Sequence, residues 1–372
     1  MNPRHAADAH RSPPPPSAER AREILAGAAR RTVVVAGDFF LDRYLLIDRR
    51  LAERSLETGL EAHQVVQKRH SPGAAGSMTN NLRALAVGRV LAVGFTGRDG
   101  EGLELRAELA RRGVVLDHLV EWEGVFTPTY TKPMVTGDGL AYREIERQDI
   151  KNRQGLPAGL RAALRAALEA AWASADGLLV SDQVEEEGCG VWDETLRKML
   201  AGLARGRPQT PVLADSRAHI GLFRDVMLKP NEREARTALG LPDATAIGAL
   251  LGPLEALRRA RGDRQLYLTR GAEGMALLEP GETAALLPAI RVKGEIDIVG
   301  AGDATAAGIM TGWVGGADAI EAGWLGQTVA SITIQQIGTT GTASPAQVEA
   351  RLADLASGRP LRDLHAAGGG GC

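Results

Sequence analysis

Cysteine is scarce in this sequence: Cys189 and Cys372 are the two in 372 residues. They make no disulfide framework, and the expected location is cytoplasmic. No apolar run reaches the roughly 20 residues of a membrane-spanning helix, so no membrane partner is expected. The opening, "MNPRHAADAHRSPPPPSAER", lacks the apolar core of a secretory signal. Neither sign of charge is in excess, because 44 Lys and Arg face 46 Asp and Glu, for a net charge of −2. No basic field is present to hold nucleic acid. Aromatic residues are only 4% of the chain, which argues against a pocket built on aromatic clamps. No internal repeat is visible.

The apolar fraction of 44% and charged fraction of 24% are ordinary for a globular protein. Residues 1–30, with four consecutive prolines, read as a disordered or helical lead-in, residues 31–358 as the folded domain, and 359–372, ending "AAGGGGC", as a flexible tail. Within the domain, apolar runs alternate with Ala/Leu/Arg-rich helical stretches such as "EGLELRAELARRG". The runs are "TVVVAGDF" (32–39), "RVLAVGFTG" (89–97), "GLLVSD" (177–182), "PVLADS" (211–216), "VMLKPN" (226–231) and "QLYLTRG" (265–271). Continuous rather than alternating apolarity belongs to strands covered on both faces. The expectation is an α/β fold with a doubly wound, mostly parallel sheet, whose ligands sit beyond the carboxyl ends of the strands. Several runs end there in polar residues: Asp38, Asp182, Asp215, Asn231 and Arg270. Two segments break the alternation, 43–70 and 125–147. "TPTYTKPMV" and "LAYREIER" flank "TGDG", a hairpin signal. These segments read as a small β-structure inserted into the sheet domain as a lid.

Four stretches carry candidate chemistry. In "DIVGAGDATAAGIMTGW" (297–313), Gly300, Ala301 and Gly302 precede a helix whose unpaired N–H groups suit an anion. Asp303 beside them suits a base that takes a proton from a hydroxyl attacking phosphorus, or a plain helix cap. In "KPNEREA", Asn231 and Glu234 share a helix face and suit the water shell of Mg²⁺, or a helix start. "TRGAEGM", with Thr269, Gly271 and Gly274, suits close approach to a nucleotide or a simple hairpin. "GDFFLDRY" and "SPGAAGSMTNNLRAL" offer Asp38 and Asp42 to polyol hydroxyls and a small-residue loop, Gly73, Ala74 and Ser77, to a substrate.

In this order, "GDFFLD", "GAAGSMTNNL", "KPNERE", "TRGAEG" and "DIVGAGDATAAG" resemble the PfkB, or ribokinase-like, carbohydrate kinases over about residues 32–356. The resemblance implies the ribokinase-like three-layer fold, ATP and Mg²⁺ as cofactors, and K⁺ in some members. It implies Asp303 as catalytic base, the amides of Gly300, Ala301 and Gly302 as anion hole, and Asn231 and Glu234 as organisers of metal and phosphates. Thr269, Gly271 and Gly274 fall at the ATP site, Asp42 at the sugar site, and Asp297 where some members bind the monovalent cation. "GDFFLDRYLLID" and "GTTGTASPAQVEARL" are further similar to heptose 7-phosphate kinases. Lys132, Arg143 and Arg217 are candidate contacts to an anionic substrate, and pairing of two lids would give a homodimer. The family's Gly-Gly-x-x-Asn loop reads Gly73-Ala74-Ala75-Gly76-Ser77 here, and residues 51–66 differ from the Pro-rich stretch of the heptose enzymes, so the sugar stays open. A cytidylyltransferase-like domain, often fused to the heptose kinase, is not expected after this domain. The expected function is ATP-dependent phosphorylation of a sugar or sugar phosphate. The alternatives are a kinase of a nucleoside or other small alcohol, and a non-catalytic sugar-binding regulator that has lost Asp303 or the glycines, which this chain keeps.

Overall fold

A computed structural model of the chain describes residues 11–136, 142–262, 264–338, 340–358 and 361. The expected tail and the turn of "TGDG" fall almost wholly outside the described residues. The strands in chain order are β1 (Thr32–Gly37), β2 (Phe39–Asp48), β3 (Glu53–Arg54), β4 (Glu61–Ala62), β5 (Val65–Ala74), β6 (Arg89–Gly97), β7 (Val115–Trp122), β8 (Thr129–Thr136), β9 (Arg143–Glu144), β10 (Gln148–Ile150), β11 (Gly177–Asp182), β12 (Val212–Ser216), β13 (Met227–Leu228), β14 (Leu266–Thr269), β15 (Met275–Leu278) and β16 (Ala285–Leu287). The helices are α1 (Ala18–Ala28), α2 (Ala75–Ala84), α3 (Gly100–Arg111), α4 (Ala158–Trp172), α5 (Glu194–Gly206), α6 (Glu232–Leu239), α7 (Gly248–Arg261), α8 (Ala301–Val314), α9 (Ala319–Thr333) and α10 (Pro345–Ala356).

The main sheet has nine strands in the order β16-β15-β14-β13-β12-β11-β1-β6-β7. It is parallel from β14 to β7 and antiparallel at the β14-β15-β16 edge. β1 shows why its strands read as continuous apolar runs. Val33 and Val35 enter the core shared with α1, α2, α3, α8, α9 and α10, while Val34 and Ala36 enter the one shared with α4 to α7. Both faces are covered, giving three layers, with every parallel strand pointing its carboxyl end the same way.

A second sheet, β10-β8-β2-β5 with β9 on β8, is the inserted lid. It reaches beyond both irregular sequence segments: β2 starts at Phe39, directly after the turn at Asp38, and β10 ends at Ile150. Residues 18–28 of the lead-in form α1, with Ile24 and Leu25 buried against the same core as α8. Arg20 forks onto Glu321 at 2.8 and 3.0 Å, tying α1 to the start of α9.

At the joint between lid and body, Ala74 holds φ 53 and ψ −119 where β5 passes into α2. A Cβ is strained in such a conformation by roughly 1–3 kcal/mol. Glycine relieves that strain and returns about 0.5–1 kcal/mol of backbone entropy to the unfolded chain. Ala74→Gly is expected to stabilise the protein by about 1 kcal/mol, raising Tm by about 2–4 °C in a thermal melt. A fall in Tm overturns the strain assignment.

Candidate active site

The carboxyl ends of β12, β13 and β14 and the amino end of α8 enclose a cavity of about 1020 Å³. Its lining combines polar groups, among them Asp215, Lys229, Asn231, Glu234, Gly302 and Asp303, with apolar side chains such as Ile290, Val292 and Ile298. This mixed lining suits a ligand with a charged group and an apolar body.

α8 begins abruptly because Gly300 takes φ 79, and a Cβ there would stand 2.8 Å from Thr340 Cγ2. The amides of its first turn have no carbonyl four residues back in the helix. One correction follows for the expected anion hole. The Ala301 amide donates to Ile298 O at 3.1 Å and the Ala304 amide to Gly300 O at 2.9 Å, which leaves the amides of Gly300, Gly302 and Asp303. Asp303 lies on that turn. Burial, then the neighbouring charge of Asp215, pushes its carboxyl up from 3.8 to about 7, with Lys229 and Arg217 opposing.

Asn231 and Glu234 form a reciprocal cap on α6. Asn231 Oδ1 accepts from the Glu234 amide at 2.9 Å, and Glu234 accepts from the Asn231 amide and Nδ2, each at 2.8 Å. The helix-start reading is therefore correct as geometry, yet both side chains also line the cavity. Burial, and next Asp215, raises the Glu234 carboxyl to about 7. Such a carboxylate is short of positive partners and fits a hydrated Mg²⁺, which takes one or two carboxylates plus substrate phosphates. Among the described residues no three His, Cys, Asp or Glu side chains converge as a metal cage, so Glu234 and Asn231 would hold the ion only together with a phosphate-bearing ligand. Thr269, Gly271 and Gly274 line the same cavity on the β14-β15 hairpin. Gly274 is required there: at φ 91, a Cβ would lie 2.1 Å from Leu287 O.

A smaller cavity of about 210 Å³ lies between the lid and the loop after β11. Phe40 and Tyr130 line it from the lid, with Arg147, Lys151 and Arg217 as its cations and Glu185 and Glu186 as its acids; Lys151 pairs with Glu186 at 3.3 Å, and Arg147 forks onto Asp149 at 2.7 and 2.9 Å. The Arg147 guanidinium stacks 4.6 Å from the Tyr130 ring centre. Gln183, Glu185 and Arg217 line both cavities, so the two adjoin.

Asp42 sits on β2 on the same face as Phe40, by the alternation of a strand. It pairs with Lys132 at 2.9 Å, both side chains being 14% exposed. Gly73 lies against it, since a Cβ there would meet Asp42 Oδ2 at 2.5 Å. Three expected contacts fall elsewhere. The Asp38 carboxylate accepts from the amides of Gln183, Val184 and Val191 at 2.8, 3.1 and 2.8 Å; saturated by backbone, it anchors that loop rather than a ligand. Arg143 is exposed on β9 and, like Asp42, Lys132, Gly73 and Ala74, lines neither cavity. The Ser77 hydroxyl is buried and donates to Pro72 O at 3.4 Å. Asp297 accepts from the amides of Val299 and Gly338 at 3.0 and 3.2 Å, tying the loop before α8 to the one after α9.

Sequence reasoning gave no role to Lys229, Arg147 or Lys151. For Lys229 a signal existed: a lysine closing the apolar run "VML" belongs to a strand end, where a buried ammonium needs a partner. For Arg147 and Lys151, within a charge-rich segment, no such signal stands out.

The pattern described as "pfkB family carbohydrate kinase" matches residues 42–347. The bifunctional protein HldE of Gluconacetobacter diazotrophicus is 29% identical over 335 residues, covering 88% of this chain and 66% of that relative. The chain thus spans just under two thirds of the relative's length. Ribokinase of Arabidopsis thaliana, solved with ribose and ATP, superposes with a TM-score of 0.61 at 18% identity, covering 86% of this chain and 97% of that one. Phosphofructokinase-2 of Escherichia coli, solved in complex with potassium, gives a TM-score of 0.67 at 15% identity, covering 88% and 99%. At these identities the likeness to both structures is one of fold.

Proposed function

The chain belongs to the pfkB family of carbohydrate kinases, and on that footing we propose that it transfers the γ-phosphoryl group of ATP to a hydroxyl of a sugar phosphate, heptose 7-phosphate being the acceptor we favour. Family membership makes it a phosphotransferase with ATP as donor and a divalent metal as companion. The finer reading rests on one observation: the cavity holding Asp303 adjoins, at Arg217, a lid-covered cavity lined by Arg147 and Lys151. The nucleotide lies in the large cavity with its phosphates at the start of α8. The acceptor lies under the lid, its phosphate on the three cations and one hydroxyl toward Asp303. Asp303 takes the hydroxyl proton as the oxygen attacks phosphorus. First-turn amides face the charge on the transferring oxygens, and the lid keeps water from competing as acceptor. Similarity to HldE supports the heptose, and the cations support a phosphorylated acceptor.

The test is ADP release with ATP and Mg²⁺ against a panel of free sugars and sugar phosphates. Heptose 7-phosphate is expected to give the highest kcat/KM. A free sugar at the top overturns the phosphorylated acceptor, and no stimulation by any member overturns the kinase reading.

The metal role carries its own prediction. Glu234→Gln exchanges charge-assisted hydrogen bonds to the ion's waters for neutral ones, a difference of about 1 kcal/mol. The free Mg²⁺ giving half-maximal rate at fixed ATP is expected to rise about fivefold. An unchanged Mg²⁺ curve reduces Asn231 and Glu234 to a helix cap.

A further inference from the structure

We propose that Lys229 is a catalytic residue, its ammonium holding the γ-phosphoryl oxygens of the nucleotide during transfer while Asp215 keeps it in place. Lys229 follows directly on β13, and its amide donates to Ala214 O at 2.9 Å, fixing it beside β12. Its side chain is 3% exposed, with Nζ 3.0 Å from Asp215 Oδ2. It nonetheless lines the large cavity. A Cβ built on Gly302 would lie 3.7 Å from Nζ, so the ammonium stands against the first turn of α8 with no side chain between them. An ion pair buried for stability alone gains little over apolar packing. This one is placed where the open amides of a helix terminus meet a cavity.

The charges point the same way. The cavity lining carries the carboxylates of Asp215, Glu234 and Asp303, and of its cations Lys229, Arg217, Arg233 and Arg291 only Lys229 is buried. A triphosphate brought beside those carboxylates meets their charge unless the cation buried with them turns toward it. An ammonium has three donors; one serves Asp215 and two remain for phosphoryl oxygens.

The inference rests on the phosphoryl-transfer reading. In the step itself, the acceptor oxygen forms a bond to the γ phosphorus and its proton passes to Asp303. The bond from that phosphorus to the β–γ bridging oxygen breaks, and ADP leaves with the electron pair. Lys229 remains protonated throughout. It therefore discriminates a triphosphate from a diphosphate.

That discrimination is measurable without turnover. ADP and a non-hydrolysable ATP analogue, each with Mg²⁺, are titrated by calorimetry into the wild type, Lys229→Met, Lys229→Arg and the double variant Lys229→Met with Asp215→Asn. Lys229→Met is expected to weaken the triphosphate by about 10- to 100-fold, as for loss of charge-assisted hydrogen bonds, and to leave ADP nearly unchanged. Lys229→Arg is expected to recover part of the loss. Should Lys229→Met not fold, because Asp215 is left buried and unpaired, the double variant removes both charges and decides the matter. Equal loss for ADP and the triphosphate, or no loss for either, in a folded variant overturns the assignment. If the wild type binds neither nucleotide, the kinase reading fails first; if it binds both and the variants match it, this inference alone fails.

Discussion

The Asp303→Asn protein is expected to fold, to bind ATP with nearly wild-type affinity, and to lose roughly 10²–10⁴-fold in kcat. The amide keeps the size of the side chain and its place on the first turn of α8, so the helix and the nucleotide cavity remain. It cannot accept the proton of the acceptor hydroxyl. Steady-state kinetics together with nucleotide titration separate the two effects, and wild-type kcat in this variant removes Asp303 from the role of base.

The same carboxyl makes two statements about pH. Held up at about 7 by burial and Asp215, it is half-protonated near neutrality in the free protein, so kcat/KM is expected to rise along an acid limb centred near pH 7. The stability sign is opposite to that of a salt-bridged acid. The folded state binds this proton more tightly than the unfolded chain, whose group titrates near 3.8. The contribution to stability is thus complete below that unfolded value and disappears as pH rises through about 7. Above it, wild type carries an ionised carboxylate in a site that disfavours it. Asp303→Asn is then expected to be more stable than wild type at pH 8 by on the order of 1–2 kcal/mol, allowing for the side chain's access to the cavity. The gain should shrink to nothing towards pH 4. Melting curves at both pH values check the trend, and equal Tm differences at the two contradict the raised carboxyl.

The main sheet was legible because its strands are buried on both faces, which writes "VVVA" and "LLV" as unbroken apolar runs. "VMLKPN" marked its strand but not its length. β13 stops at two paired residues, Met227 and Leu228, before Pro230, which has no amide to give. The lid was legible as irregularity, but its first edge was set four residues late. β2 begins at Phe39, where buried Phe39, Phe40 and Leu41 continue the apolar texture of β1 across the Gly37-Asp38 turn. Asp38 shows what local spacing cannot hold. An acid closing a strand looks the same whether it faces a ligand or bends onto amides 145 to 153 residues away. The pairing of Lys229 with Asp215 is likewise made by neighbouring parallel strands rather than by any motif. Asp303 was readable because its partners, the helix start and its glycines, are all adjacent in sequence.

Asp42→Ala is expected to weaken acceptor binding by about tenfold to a hundredfold and to leave ATP affinity nearly unchanged. Asp42 lies on the lid strand β2, its register partner on β8 is Tyr130, and its neighbour on the same face is Phe40, both lining the small cavity. Asp42 itself lines neither cavity, but its charge is felt by Asp303, so the two carboxylates lie within reach of each other's field. A hydroxyl donating to this carboxylate contributes roughly 1.5–3 kcal/mol, the range of the expected loss. The complication is Lys132, whose ammonium loses its 2.9 Å partner in the variant on a side chain only 14% exposed. Removing one member of such a pair is itself destabilising. Lys132→Met and the double variant complete a cycle in which the structural penalty is absent from the double. Each protein is titrated by calorimetry with ADP and with the best acceptor of the substrate panel. If Asp42 grips the acceptor, the double variant still binds it poorly while ADP binds as in wild type. If the double variant regains acceptor affinity, or if both ligands weaken together in every variant, then Asp42 and Lys132 only brace the lid, and the hydroxyl contacts lie on the side chains that line the small cavity.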